Sequence, residues 1–361
     1  MTPAELSRTV LRAVRRAVAD DTLPGPVPDR VAVGPPRPGG RGDYASNVAL
    51  RLAGPAGRPP REVAEILRTA LLESAPAAGI DRVEITGPGF LNFTLAPAVR
   101  TGAHTGVVRA VRAEGARYGH GDALAGTTVA LAPATEPRAA LWTRTVIALL
   151  RTQGAAAATV PGATEALRPV PVAAGTTTEA LYGTLGTDAA HWALLRPAAH
   201  DRPYTGPEAA RALALLVQRE SNGLFLVRYA HARTRALARA ARHLGITPEL
   251  PEPPAPGVPE TAPDAADPLR APEAAALVRL LGAYPDVLAS AARLRAPDRL
   301  ARHLEQTADA FLRFQESCRP LPLGDEKPSA AHRARLALAD AAGTVLAGGL
   351  SLLGVDAPEH L

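Results

Sequence analysis

The sequence predicts an α+β N-terminal domain, a small βα unit and an all-α C-terminal bundle, and three observations carry that prediction. Two alternating apolar segments, Val83-Glu84-Ile85 and Phe90-Leu91-Asn92-Phe93-Thr94-Leu95, flank the turn Gly87-Pro88-Gly89 and read as a hairpin. A single strand–helix step follows, Thr128-Val129-Ala130-Leu131 and then Arg138 to Thr152. From Thr178 onward the apolar residues recur every three or four positions. A chain of 361 residues suits two or three domains, and these patterns place them at 1–119, 120–176 and 177–361.

Each element has a local reason. Leu6, Val10, Leu11, Val14 and Val18 recur at helical spacing over Pro3 to Ala19, with arginines opposite. Val31-Ala32-Val33, between prolines, predicts a short strand, and a second helical region follows Asp43. Pro59-Pro60 opens a third helix with an apolar stripe of Val63, Ile66, Leu67, Ala70 and Leu71; proline fits there because the first helical N–H has no partner to lose. Asp43 and Asn47 are expected to shape the turn and cap a helix.

The middle holds one βα step, with a second strand expected at Ala157 to Val160. A doubly wound nucleotide-binding sheet needs several such steps. Gly119-His120-Gly121-Asp122 reads as a linker loop. In the last part, Leu300, Leu304, Ala308 and Phe311 form one stripe, and Leu336, Ala339, Ala342, Val345, Leu346, Leu350 and Leu353 form another. Asp298 after Pro297 marks a helix start and Gly354 a stop. The run Thr247 to Pro263 is proline-rich and reads as an exposed loop.

Composition narrows the chemistry. Hydrophobic residues make up 47%, enough for real cores, but aromatics only 4%, so leucine, valine and alanine must fill them and closely packed helices are favoured. The net charge of +5 rests on arginine, with Lys327 the only lysine. That excess suits a phosphate-bearing partner and equally reads as the bias of a GC-rich genome. A single cysteine, Cys318, excludes an intramolecular disulfide and a cysteine zinc site, and fits the cytoplasm. No signal peptide and no membrane-spanning run is expected. His104, His120, His200 and His243 lack metal-ligand spacing, and no Ser-His-Asp set can be nominated, so neither a metal nor catalytic residues are expected.

One helix stands out, Leu224 to Leu244. At about 100° per residue, Arg228, Arg235, Arg239 and Arg242 share a stripe with His231 beside them, opposite Leu226, Ala230, Leu237 and Leu244. That stripe reads as a rail for RNA phosphates or as a solvated outer face. Tyr229 reads either as a base-stacking ring or as a core tyrosine. Arg233 lies nearer the apolar side, where a buried ion pair is expected.

Several segments together resemble a known family. Leu185-Gly186-Thr187-Asp188-Ala189, Ala193-Leu194-Leu195-Arg196, Arg228-Tyr229-Ala230-His231-Ala232-Arg233 and the ending Gly349 to Glu359 resemble the helical anticodon-binding (DALR) domain of arginyl-tRNA synthetases. Tyr284-Pro285-Asp286-Val287 and Phe311-Leu312-Arg313-Phe314 fall in the family's order. Gly42 to Asn47 with Gly87 to Phe93 resemble the family's N-terminal additional domain, which holds the tRNA elbow. The resemblance implies that Phe90 and Asn92, on one strand face, meet a D-loop base; core packing of Phe90 is the competing reading.

The departures bear on activity. The family's His-x-Gly-His turn has as its counterpart Pro137-Arg138-Ala139-Ala140-Leu141-Trp142, which has no histidine. The place of its mobile lysine loop reads Arg168-Pro169-Val170-Pro171-Val172-Ala173-Ala174-Gly175, without lysine. His191 stands where the family usually has arginine. The stretch between the two ends is short for a catalytic domain. The resemblance therefore implies a truncated paralogue, its middle a degenerate Rossmann remnant, that binds tRNA or tRNA-like RNA without ATP. A protein-interaction scaffold and residual arginine–tRNA ligase activity are the alternatives.

Overall fold

The structure is a computed structural model and describes residues 3–34, 36, 41–73, 79–205, 214–251 and 267–361. Its packing separates two units between Ala103 and His104, and residues 104–119, which the sequence assigns to the first domain, pack with the second unit.

In the first unit, helix α1 (Pro3–Ala19) buries Leu6, Val10 and Val14 completely, as its spacing requires. Strands β1 (Val33–Gly34) and β2 (Tyr44–Ser46), helices α2 (Val48–Ala56) and α3 (Pro60–Leu72), and strands β3 (Ile80–Thr86) and β4 (Phe90–Leu95) follow. The four strands form an antiparallel sheet in the order β1-β2-β4-β3. Leu91, Phe93 and Leu95 of β4 join Val63, Leu67 and Leu71 of α3 in one core. The hairpin lies where the sequence places it, with Thr86 opposite Phe90.

Two local expectations need correction. The first strand is Val33–Gly34 rather than Val31 to Val33, and a strand, β2, precedes the helix expected after Asp43. Asp43 shapes that entry by a different route from a helix cap. Its N–H donates to the Phe93 carbonyl (2.8 Å) and its carboxylate accepts the Leu95 N–H (2.8 Å), so it ties the chain to β4. Gly42 before it has φ +89°, and a Cβ there would lie 2.7 Å from the Phe93 oxygen. Asn47 occupies the cap position of α2 without a side-chain hydrogen bond; the Ser46 hydroxyl takes the Val48 N–H instead (3.3 Å).

The second unit begins within helix α4 (Pro97–Glu114). Strand β5 (Thr128–Leu131), helix α5 (Pro137–Thr152) and strand β6 (Ala156–Thr159) make one βα step, the two strands pairing in parallel. Helices α6 (Thr178–Leu195), α7 (Gly223–His243), α8 (Pro272–Arg293), α9 (Pro297–Ser317) and α10 (Ala330–Leu352) complete it. Helix α6 is kinked at Gly186, whose φ of +73° no helix can contain. Val129, Leu131 and Trp142 of the βα step share one continuous core with Leu277, Phe311 and Leu346 of the helices. Residues 252–263 of the proline-rich run lie outside the described residues.

One helix bears on the expectation that no run spans a membrane. Helix α8 is long and apolar enough by length and composition to cross a membrane; its Leu277, Leu281 and Leu288 are buried in the bundle core.

The core also carries buried histidines that make folding sensitive to pH. Burial pushes His303 down from 6.5 to about 4, only partly opposed by the Leu280 carbonyl, and burial lowers His191 and His231 as well. Below about pH 6.5 the unfolded chain takes up protons that the folded chain refuses. Stability is therefore expected to fall as pH drops from about 6.5 towards about 4 and to be indifferent to these groups above that range. Urea titrations at pH 7 and pH 5 check this, and His303→Gln should flatten part of the dependence.

Candidate nucleic-acid interface

Helix α7 starts where Asn222 caps it. The Asn222 side chain accepts the Phe225 N–H (3.2 Å), while its amide donates to the carbonyls of Leu215 (2.8 Å) and Val217 (2.9 Å). Val227, Ala230, Thr234 and Ala241 point into the bundle, which turns the arginine stripe outward. Leu244, placed on the apolar side by its spacing, is instead 57% exposed, because it caps the helix beyond its last packed turn.

The stripe is divided in two. Arg235 and Arg239 lie beside the C-terminal tail: Glu359 places its carboxylate 3.4 Å from Arg235 and 3.9 Å from Arg239. Both terminal nitrogens of Arg239 also donate to the Glu359 carbonyl (3.3 Å). Arg242 is exposed, and its Nε donates to the Ala238 carbonyl of its own helix (3.4 Å). Tyr229 is exposed, and its ring stacks on Phe225 with centroids 5.5 Å apart at 17°. Tyr229 is thus not a core tyrosine; its exposed ring lies near-parallel to the half-buried ring of Phe225.

Arg228 and His231 depart from the rail. Arg228 turns to Asp188 of α6 (3.4 Å), whose carboxylate also accepts the Asp356 N–H (3.1 Å). That pair lines a cavity of about 420 Å³ with Leu185, Asn222, Phe225 and Leu361. His231 is buried, and its Nδ1 meets the Pro358 carbonyl at 2.9 Å. Its ring is therefore a tail anchor and not a surface contact. Burial lowers its pKa, with Arg235 adding to the effect, so it is neutral at pH 7. Arg233 pairs with the amide of Gln315 (3.3 Å) where an ion pair is expected. The tail contacts are invisible to helical spacing, because they join residues more than a hundred positions apart.

In the first unit, Phe90 is half-buried and Asn92 is 3% exposed. The Asn92 amide donates to the Thr86 hydroxyl across the hairpin (2.7 Å). The expected base-reading amide is spent inside the sheet.

Comparison with known families and structures follows the same division. The profile described as arginyl tRNA synthetase N terminal domain matches residues 4–95, and that described as DALR anticodon binding domain matches residues 227–361. The chain is related to the arginyl-tRNA synthetases. The arginyl-tRNA synthetase of Thermus thermophilus shares its fold with a TM-score of 0.68 at 12% identity, the alignment covering 100% of both chains. The arginyl-tRNA synthetase of Plasmodium falciparum matches with a TM-score of 0.65 at 8% identity, again over 100% of both. The mixed α+β fold, with an additional N-terminal domain and a C-terminal anticodon-binding-type helical region, is the arginyl-tRNA synthetase architecture.

In the synthetase family the start of α5 is where ATP phosphates are expected. The residues here do not fit them. Glu136 caps α5 with its own carboxylate, which accepts the N–H groups of Ala139 (2.6 Å) and Val172 (2.9 Å). Arg138 is 0% exposed, and its guanidinium donates to the carbonyls of Val170, Leu194, Pro197, Ala198 and Asp201 at 2.7–2.9 Å. A phosphate arriving at this helix start would meet a carboxylate, and the neighbouring cation faces away. Glu136 and Arg138 both reach the 168–175 segment, so the places of the two signatures are tied to each other.

Arg144 and His191 form a second structural knot. The His191 Nδ1 meets the Gly354 carbonyl (2.7 Å), leaving Nε2 to accept from the Tyr182 hydroxyl (2.9 Å) and Arg144 (3.4 Å). The spacing gives no sign of the ion pair of Arg196, whose Nε and a terminal nitrogen lie 2.8 Å from the Glu305 carboxylate and join the end of α6 to α9.

Proposed function

We propose that this arginyl-tRNA synthetase-related chain binds tRNA or a tRNA-like RNA and does not aminoacylate it. The reading takes the chain as a shortened paralogue working in the cytoplasm. It rests on one contrast within the second unit: α7 keeps a basic and aromatic face, its Arg235 and Arg239 countered by the exposed Glu359, while α5 has its anion-binding end closed by Glu136. Arginines beside a stacked ring pair suit RNA, because phosphates supply sequence-independent attraction and unstacked bases can lie on aromatic rings. The single βα step among the described residues supports the loss of a nucleotide-binding sheet, which needs several. With Glu136 at α5 and no lysine in residues 168–175, neither phosphate clamp of the family has a counterpart.

Filter binding with purified tRNA at two salt concentrations tests the first half. Binding should strengthen as salt falls, and failure to bind even in low salt would overturn it. ATP–pyrophosphate exchange with arginine, run with and without tRNA, tests the second half; turnover above background would refute it. Tyr229→Ala should weaken tRNA binding by roughly 1–3 kcal/mol if a base stacks there, with the melting temperature unchanged. Unaltered affinity would remove the ring from the interface. Recovery of the chain with a stoichiometric protein from cell extract, with no RNA bound, would favour a scaffold.

A further inference from the structure

The cavity of about 420 Å³ in the second unit has a floor, a wall and a charge of its own. Its floor is the break in α6, since Leu185, Gly186 and Thr187 all line it. A Cβ at Gly186 would meet nothing within 4 Å, so the kink faces open space. Its wall is the segment Leu215-Leu216-Val217, which the buried Asn222 holds by donating its amide to the Leu215 and Val217 carbonyls. Leu216 and Val217 are 49% and 42% exposed, apolar side chains left uncovered beside the void. The volume falls within the roughly 300–1,000 Å³ of small-molecule sites, which likewise join apolar walls to a few placed polar groups.

The charged side chains of the lining do not balance. Asp188 and Asp356 meet there, the Asp356 N–H donating to the Asp188 carboxylate (3.1 Å), and Arg228 is the one cationic side chain among the described lining residues, 3.4 Å from Asp188. Two carboxylates against one guanidinium leave a negative charge uncompensated. The broken helix has the same preference. At Gly186 the carbonyl end of the first half of α6 opens onto the cavity, and helix carbonyl ends favour cations. The N–H end of the second half is already met by the Asp188 carboxylate in its first turn. Phe225 lines the same space, and an aromatic ring attracts cations.

We propose that this cavity binds a small organic monocation, an ammonium group carried on an apolar body. The ammonium meets the carboxylates of Asp188 and Asp356, and the apolar body lies against Leu215, Leu216 and Val217. Arg228 sets the limit at one charge, because it already offsets one of the two carboxylates. An anion is disfavoured, since it would face both carboxylates with a guanidinium that is already paired. The site is therefore independent of the RNA-binding reading: its sign repels phosphate, whereas the Arg235 and Arg239 face attracts it.

The test uses the full chain at pH 7 and three ligands of similar shape and different charge: benzylamine, benzyl alcohol and benzoate. Ligand-observed NMR titration is expected to give a dissociation constant of about 1 mM or tighter for benzylamine, with benzyl alcohol roughly tenfold weaker and benzoate weaker still. Rising salt should weaken benzylamine and leave benzyl alcohol unchanged, because only the amine is held by charge. Asp356→Asn should weaken benzylamine by about threefold to fivefold, the scale of an exposed charge pair, without affecting benzyl alcohol. Leu216→Arg places a cation in the wall and should abolish amine binding. Asp356 and Leu216 are both exposed, so neither change should unfold the chain, and circular dichroism checks this. Equal affinity for benzylamine and benzyl alcohol would overturn the selection for a cation, and tighter binding of benzoate would reverse its sign. No binding of benzylamine up to about 10 mM, tenfold above the expected constant, would overturn the site itself. Amine binding that both variants leave unchanged would place it elsewhere on the chain and overturn this cavity as its location.

Discussion

Arg138→Ala is expected to destabilise the second unit by about 3–5 kcal/mol, the range for a buried charge network that loses one partner. Arg138 sits at 0% exposure and donates to five backbone carbonyls, three of them (Leu194, Pro197 and Ala198) at or just past the end of α6. Those carbonyls carry the negative end of the helix dipole, so a fixed cation there meets both charge and hydrogen-bonding needs. Removing it leaves several buried acceptors unpaired, each costing roughly 1–3 kcal/mol where water cannot reach. It also empties the space where the guanidinium lies 5.1 Å from the Trp142 ring centre. Burial pulls the Arg138 pKa down to about 10, with Glu136, Asp201 and Asp298 opposing it, so the group remains charged at neutral pH. Arg138→Lys should recover little, because an ammonium has three donors on one atom and cannot span five acceptors. Urea unfolding at pH 7 measures the loss, and a change under about 1 kcal/mol would mean that water or a shifted backbone replaces the guanidinium.

That arginine marks the limit of what the sequence made legible. Spacing located α1, α3, α7, α9 and α10 because a long apolar stripe must face a core, and Leu6, Val63, Ala230, Leu300 and Leu346 all do so. The hairpin was legible because alternation meets a glycine-flanked turn. Strand β2 was not, since three residues cannot display a period and its pairing with β4 is set by Asp43 and Gly42. Among the candidate contacts, Arg235, Arg239, Arg242 and Tyr229 do lie at the surface of α7. His231 and Arg228 do not share that open stripe, because Pro358 and Asp188 draw them in, and spacing within one helix carries no information about another segment. The inward turn of Arg138 has the same origin: its partners lie 32 to 63 positions away.

Arg235→Glu with Arg239→Glu is expected to weaken tRNA binding about 30-fold near 0.15 M salt, close to 2 kcal/mol, while leaving the bundle folded. Two cations are lost and two anions gained on the face where phosphates are proposed to lie, and Arg242 alone remains exposed there. The fold should tolerate this, because both arginines pair with Glu359, whose side chain is 60% exposed. Ion pairs of that kind contribute about 0–1 kcal/mol. The tail makes the experiment more discriminating. In the resting chain Glu359 occupies the same two guanidinium groups that a phosphate would need, so RNA must displace a carboxylate to engage them. Glu359→Gln should therefore tighten binding to the wild-type helix by several-fold. In the doubly reversed background the same substitution removes only a distant negative charge, and its effect should shrink. A coupling between the two changes, read from the four affinities, locates the RNA on Arg235 and Arg239. Additive effects would mean that the stripe acts only through its overall charge, with the phosphates elsewhere.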